Sequence, residues 1–310
     1  MTPKKSLLDF ISEVKLIVKP HSRHFHILNL IFLFPLSLFL LLSPTISNLF
    51  HFFTKNSTSL LPPQTINPTF LLYSLFLLLL SNCGIITIIY SVFHFSHHEP
   101  VNLLSAIKSI STSYLPLLAT TIVSQLIFFF ISFFYCLLLI LLIHGAKLFH
   151  LTLLPHSSPF IIGFLIVLPM IVVQTHLEVN WILANIIVVV ESCWGMEPLR
   201  RSAKLIKGMK GVALSCILSY GFVGLIVMLN YLSLTKRHDG FTECWFDAVL
   251  KWMLILTGPY THAFVMLFKI AVTTVLYIYC KANNVEIAEE VGKDYVSLPF
   301  HDGGKVSLVV

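Results

Sequence analysis

The chain has 310 residues, of which 56% are hydrophobic and 11% charged, and its formal net charge is +6. Soluble domains carry about 25% charged residues, so this composition excludes an ordinary soluble domain and indicates that lipid surrounds most of the chain. The cations stand in short segments between apolar runs, without an RNA-binding, zinc-finger or basic-helix pattern, and we therefore set nucleic acid aside as a partner.

The first 26 residues predict a cytosolic amphipathic segment. Within residues 4–19, apolar side chains share one helical face, namely those of Leu7, Ile11, Val14 and Val18. Such a face predicts a helix that lies in the membrane interface and ends at Pro20. No apolar core with a small-residue cleavage site precedes the first long apolar run, so we expect no cleaved signal peptide.

Six apolar runs are long enough to cross a bilayer, which takes about 20 residues at a helical rise of about 1.5 Å each. They cover residues 27–49, 68–93, 114–143, 160–190, 211–234 and 248–280. In lipid only helices and closed barrels satisfy their own backbone polar groups, and continuous apolarity favours helices. The sequence therefore predicts an all-α, polytopic transmembrane bundle over residues 27–280, followed by a tail at 281–310. Pro169 predicts a kink in the fourth span.

The Lys and Arg residues, with Lys269 in the interior of the sixth span set apart and Lys251 at its start included, are divided unevenly between the two sides of the membrane. One side carries 14 of them, in the N-terminal segment, the second-to-third and fourth-to-fifth connections and the tail, whereas the other side carries 5. Because basic segments stay in the cytosol, both termini are predicted to be cytosolic. The same arrangement places the sequon Asn56-Ser57-Thr58, a candidate glycosylation site, on the lumenal side.

Two of the cytosolic connections begin alike. Glu99-Pro100 follows the second span and Glu197-Pro198 follows the fourth, and each dipeptide leads into an amphipathic stretch and a new span. Proline and a carboxylate both suit the first turn of a helix. We therefore predict cytosolic interfacial helices at both places, and an internal duplication that relates residues 68–143 to residues 160–234.

The second of these stretches, residues 197–210, is the most strongly amphipathic. Its cations share one helical face, namely those of Arg200, Arg201, Lys204 and Lys207, and apolar side chains including Leu199 and Ile206 share the other. One interpretation is a helix that recognises anionic lipid headgroups, in which each cation contributes roughly 1 kcal/mol of attraction to the membrane surface. The alternative is a topology anchor without lipid selectivity.

Polar residues interrupt the fourth span, and Gln174, Glu178 and Asn185 share a face at helical spacing, with Trp181 adjoining it. A carboxylate at membrane depth needs a partner or water, and Lys269 is the cation that lies inside the sixth span. Such a cluster serves a transport pathway or a proton relay. The alternative is a structural clamp between helices.

Other reactive residue types indicate no catalytic, cofactor or metal site. His94, His97 and His98 lie together at a predicted membrane edge, but no Cys or carboxylate pattern completes a metal site, and solvated interfacial histidines are the simpler interpretation. The 6 cysteines show no paired spacing and are interpreted as small apolar packing residues. The motifs GxSxG and HExxH and paired intramembrane aspartates are absent, so we predict no enzyme activity.

Several short motifs follow from the second span onward. They are Glu99-Pro100-Val101, Leu115-Pro116-Leu117-Leu118, Trp181, Leu183-Ala184, Val188-Val189-Val190-Glu191, Leu199-Arg200-Arg201-Ser202, Leu205-Ile206-Lys207-Gly208 and Thr273-Thr274-Val275-Leu276-Tyr277. These motifs resemble those of the YciC-like group of six-span membrane proteins, and of the membrane domains attached to some glycerophosphodiester phosphodiesterases. The tail motif Asp294-Tyr295-Val296-Ser297-Leu298-Pro299 is similar to the tails of uncharacterised plant relatives. The resemblance implies a six-span fold in a membrane-lipid context, without a phosphodiesterase catalytic domain.

Three functions follow from these features as expectations. The first is local organisation of membrane lipids, anionic ones among them, by the basic interfacial helices. The second is transport of a small solute or lipid through the site at Glu178 and Lys269. The third is an accessory subunit whose polar face meets a membrane-protein partner.

Overall fold

The computed structural model describes residues 6–42, 68–148, 159–236 and 245–297, and the fold is an all-α bundle with no strand among these residues. The sequon at Asn56 and the end of the predicted first span, residues 43–49, lie outside the described residues. Six helices in the described ranges are long and apolar enough to cross a membrane. The predicted fold class is thereby confirmed.

The helices are numbered here in chain order. They are α1 (Leu7–Val18), α2 (Ser22–Leu42, with a π-helical turn at Asn29–Leu33), α3 (Pro68–Ser96), α4 (Leu103–Leu148), α5 (Pro159–Trp181), α6 (Ala184–Glu191), α7 (Met196–Leu205), α8 (Lys210–Lys236) and α9 (Trp245–Ser297). Five candidate spans are single helices, namely α2, α3, α4, α8 and α9. The remaining candidate span, the fourth, consists of α5 and α6.

Helix α1 forms where the apolar pattern predicts it, but its apolar face packs on the bundle. The Asp9 carboxylate accepts a hydrogen bond from the Ser6 amide at 2.7 Å, which caps the first turn. Phe10 and Val14 are fully buried, and the Phe10 ring meets Tyr279 of α9 edge to face at 5.6 Å. This face therefore contacts protein, and the predicted contact with the membrane interface is wrong for Phe10 and Val14.

Helix α4 begins at Leu103, well before the predicted start of the third span at residue 114. The predicted interfacial stretch after Glu99-Pro100 is thus the first part of α4 and not a separate helix. Its hydroxyl side chains are satisfied within the helix, because they bond to carbonyls of their own helix: Ser109 donates to Ala106 at 2.7 Å and Thr112 donates to Ser109 at 3.0 Å. The corresponding stretch before the fifth span is a separate helix, α7. The internal duplication stays a prediction.

The fourth span is interrupted between α5 and α6, at Ile182 and Leu183, while Pro169 lies inside α5. Ser202 of α7 satisfies the backbone at this break. Its hydroxyl donates to the Asn180 carbonyl at 2.7 Å and accepts from the Leu183 amide at 3.2 Å. A break in a membrane helix leaves polar groups that need such partners, so α7 is part of the support of the fourth span.

The core of the bundle lies around α3 and α9, which bury their inner faces against each other and against α2 and α8. A close approach between α2 and α3 requires Gly84, because a Cβ atom there would stand 3.0 Å from the Leu33 side chain. By contrast, α4 carries exposed apolar residues from Leu126 to Leu141, as expected of a helix that faces lipid.

Candidate functional site

The spans surround a cavity of about 340 Å³. Every helix from α2 to α9 contributes at least one lining residue, so the cavity belongs to the bundle as a whole. Its volume lies within the range of about 300–1,000 Å³ typical of small-molecule sites.

The lining of the cavity is mostly apolar, with polar side chains from five helices. The polar members are Ser81, Thr120, Ser124, Glu178, Asn185, Lys269 and Thr273. On the apolar side, Phe128 of α4 and Trp181 of α5 pack edge to face with their ring centroids 5.3 Å apart. A few polar groups on apolar walls are typical of sites that bind and orient a small ligand.

The break in the fourth span places the polar residues of that span. Glu178 lies in the last turns of α5 and Asn185 in the first turn of α6, and both line the cavity beside Trp181. The nearby Asn180 donates instead to the His176 carbonyl of its own helix at 2.9 Å. Membrane proteins commonly use broken helices with irregular backbone where it borders a cavity.

Lys269 of α9 lines the same cavity as Glu178 and Asn185. The structure thus brings three of the four predicted cluster residues together, whereas Gln174 is not a lining residue. Both Glu178 and Lys269 are exposed, and among the described residues no hydrogen bond or ion pair within 4.0 Å joins the two side chains. Glu178 and Lys269 thus line the same cavity without contacting each other.

A second polar cluster joins the ends of α6, α7 and α9, and we call it the Glu191 cluster. The Glu191 carboxylate accepts hydrogen bonds from Tyr277 at 2.7 Å, from Lys281 at 2.9 Å and from Arg201 at 2.9 Å. Arg201 also pairs with Glu197 at 2.5 Å. These two carboxylates raise the pKa of the Arg201 guanidinium. From the sequence, Glu191 was predicted only as part of a motif, although a carboxylate at the end of an apolar run was a usable signal.

The four cations predicted to contact lipid have different surroundings in the structure. Arg201 is held in the Glu191 cluster, while Arg200, Lys204 and Lys207 are exposed and have no ion-pair partner in the described part of the chain. The opposite face of α7 is buried in the bundle through Leu199, Ser202 and the following residue Ile206. The apolar face of α7 therefore packs against protein, and the cationic face points outward.

The histidines at the end of α3 are bonded locally. The His94 Nδ1 atom contacts the Glu99 carboxylate, and the His97 ring bonds to the Phe93 carbonyl at 2.8 Å. These partners fit the interpretation of interfacial histidines.

The comparisons with known proteins identify a family without a defined activity. A model described as "Domain of unknown function (DUF8558)" matches residues 6–296. The chain belongs to this family. Neither a curated protein nor a solved structure matches the chain. The resemblance to the YciC-like group stays a prediction, and the assignment of a function depends on the geometry of the site.

Proposed function

We propose that this protein binds a small solute or lipid inside the membrane and moves it through the bundle. The observation that carries the proposal is the cavity of about 340 Å³ whose wall holds both Glu178 and Lys269. A structural clamp would bring the carboxylate and the ammonium group into direct contact, because that contact compensates both charges. Here the two groups face a common space without bonding to each other.

Contact with anionic lipid headgroups is a second function, and the exposed cations of α7 favour it. Arg200, Lys204 and Lys207 face outward. Each cation contributes roughly 1 kcal/mol of attraction when it lies beside an anionic membrane surface. Since Leu199 and Ile206 are buried in the bundle, this contact is electrostatic and involves no insertion of α7 into the bilayer. It fits a helix that collects or retains lipid near the cavity.

Retention of a ligand tests the binding function. The protein is purified in mild detergent from its own membrane, and its bound small molecules are measured by native mass spectrometry. The variant Ser124→Trp places a large side chain on the cavity wall, and Leu126→Trp places the same side chain on the exposed face of the same helix. We expect the natural protein and the Leu126→Trp variant to retain a ligand that the Ser124→Trp variant loses.

Thermal unfolding serves as the control for this comparison, because a ligand-free variant must still be folded. A Ser124→Trp variant that unfolds cooperatively and has lost the ligand supports the proposal. Equal ligand content in all three proteins, or no ligand in any of them, contradicts it.

A further inference from the structure

Two opposite charges in one cavity restrict the chemistry of the ligand. Glu178 of α5 and Lys269 of α9 both line the cavity, and within the described ranges neither side chain has a hydrogen-bond or ion-pair partner. An ion at membrane depth is unfavourable unless another charge or water compensates it. The cavity therefore offers one anionic and one cationic anchor.

We propose that the ligand is a zwitterionic amphiphile whose ammonium group binds Glu178 and whose acidic group binds Lys269. This inference rests on the function proposed above, and it names the ligand class of the same cavity. A molecule with both groups compensates both anchors at once. A ligand with a single charge leaves either Glu178 or Lys269 uncompensated.

The hydroxyl groups of the wall also fit an ammonium group. Ser124 donates its hydrogen to the Thr121 carbonyl at 2.8 Å, and Thr273 donates to the Ile270 carbonyl at 2.9 Å. Because these hydrogens are used inside the helices, the two oxygens of these lining residues can only accept further hydrogen bonds. An ammonium group has three donors and no acceptor, so acceptor oxygens near a carboxylate suit it.

The apolar walls account for the rest of the ligand. Phe128, Trp181, Leu36 and Ile270 line the cavity together with the polar groups. A separate inorganic cation and anion would compensate the two anchors but would leave these walls in contact with water. An apolar group attached to the zwitterion removes that water, which is favourable by the hydrophobic effect.

Two sources supply this chemistry, a bilayer lipid with an ethanolamine phosphate headgroup and a free apolar amino acid. The experiment has one arm for each. In the lipid arm, the protein in detergent is given equal amounts of phosphatidylethanolamine, phosphatidylglycerol and an N-acylated phosphatidylethanolamine, which lacks the ammonium group. Native mass spectrometry measures the bound fraction of each lipid. In the amino-acid arm, equilibrium binding of radiolabelled leucine is measured beside that of its amide and its N-acetyl derivative.

We expect the zwitterion of one arm to bind at least tenfold better than both of its singly charged analogues. The variants Glu178→Gln and Lys269→Gln should each lose at least tenfold in that binding. The charge-swapped variant Glu178→Lys with Lys269→Glu should recover part of it, because a zwitterion can bind in the reversed direction.

The comparison among ligands on the natural protein needs no variant, so it stands even if a substitution impairs folding. Equal binding of a zwitterion and its singly charged analogues in both arms overturns the zwitterion inference. If some other ligand is then still lost in the Ser124→Trp variant, the binding function survives and only the ligand class is wrong. If no ligand depends on the cavity, the proposed function itself fails.

Discussion

Glu191, the last residue of α6, accepts a hydrogen bond from Lys281 of α9, with 2.9 Å between the carboxylate oxygen and Nζ. The same carboxylate binds Tyr277 and Arg201, so one side chain ties the end of the broken fourth span to both α7 and α9. Its side chain is only 19% exposed. The Arg201 and Lys281 side chains are 46% and 50% exposed, so water partly compensates these cations, and the cost of breaking the cluster falls mainly on the less exposed carboxylate side.

The substitution Glu191→Gln should therefore lower the free energy of unfolding by about 1–3 kcal/mol, since it removes the carboxylate partner of Lys281 and leaves Arg201 with Glu197 alone. Chemical or thermal unfolding in detergent measures the loss. The matched control is Glu197→Gln, because the Glu197 side chain is exposed and pairs with Arg201 one helical turn away. We expect the Glu197→Gln variant to lose less than about 1 kcal/mol of its free energy of unfolding. Equal losses for the two variants would show that the Glu191 cluster is an ordinary surface pair.

The substitution Ser202→Ala should loosen the break between α5 and α6. The fully buried Ser202 hydroxyl is bonded to both the Asn180 carbonyl and the Leu183 amide. Its removal leaves both backbone groups without that partner, at a cost of about 1–3 kcal/mol. Hydrogen exchange of peptides covering residues 180–190 should rise. Ser219→Ala, at an exposed serine that bonds only to its own helix at Cys216, should leave exchange unchanged. Unchanged exchange in both variants would contradict this role of α7.

Replacing the exposed cations of α7 tests the lipid contact. The variant with Gln at positions 200, 204 and 207 should retain less anionic lipid on purification, and the difference should shrink at high salt as the charges are screened. Arg201 is left intact because the Glu191 cluster holds it. Gln is a good helix former, so α7 should persist. Lipid retention that does not differ from the natural protein at any salt concentration would leave these cations with a topological role alone.

Both termini should lie in the cytosol, because 14 Lys and Arg residues fall on their side of the membrane and 5 on the other, with Lys269 inside the sixth span left out of the count. Reporter fusions at each end, combined with protease protection of sealed vesicles, measure the orientation directly. A reporter before α1 and a reporter after α9 should give the same cytosolic signal. Signals from opposite sides would be incompatible with six spans.

The number and type of the spans followed from the sequence because apolar length is nearly sufficient to define a membrane helix. A common location for Glu178 and Lys269 was also predictable, since each is an ionisable residue within an apolar run, but no hydrogen bond or ion pair joins the two side chains in the described part of the chain. The structure places both on one cavity wall. The volume of that cavity and the separation of the two groups depend on the packing of all the helices, and no local pattern encodes them.

The surroundings of the amphipathic helices could not be predicted in the same way. The apolar faces of α1 and α7 fit lipid and protein equally well by composition, and the structure buries Phe10 and Leu199 in protein. The start of α4 at Leu103 was missed because its serines and threonines looked like an interfacial segment, whereas they bond within the helix. The role of Ser202 depends on a break that the apolar pattern conceals.

The accessibility of the cavity to water is the most direct test of a ligand-binding site inside the membrane. Cysteines placed one at a time at Ser124, on the cavity wall, and at Leu126, on the exposed face of α4, lie at nearly the same depth, and the native Cys83, Cys216 and Cys280 stay because they are buried. The new cysteines are introduced after Cys136, Cys193 and Cys244 are replaced by alanine, and their reaction with a charged thiol reagent is timed in vesicles. Such a reagent needs a hydrated thiolate, so Ser124→Cys should react at least tenfold faster than Leu126→Cys. Equal rates, or a cysteine at position 124 that does not react, would contradict a water-accessible binding cavity.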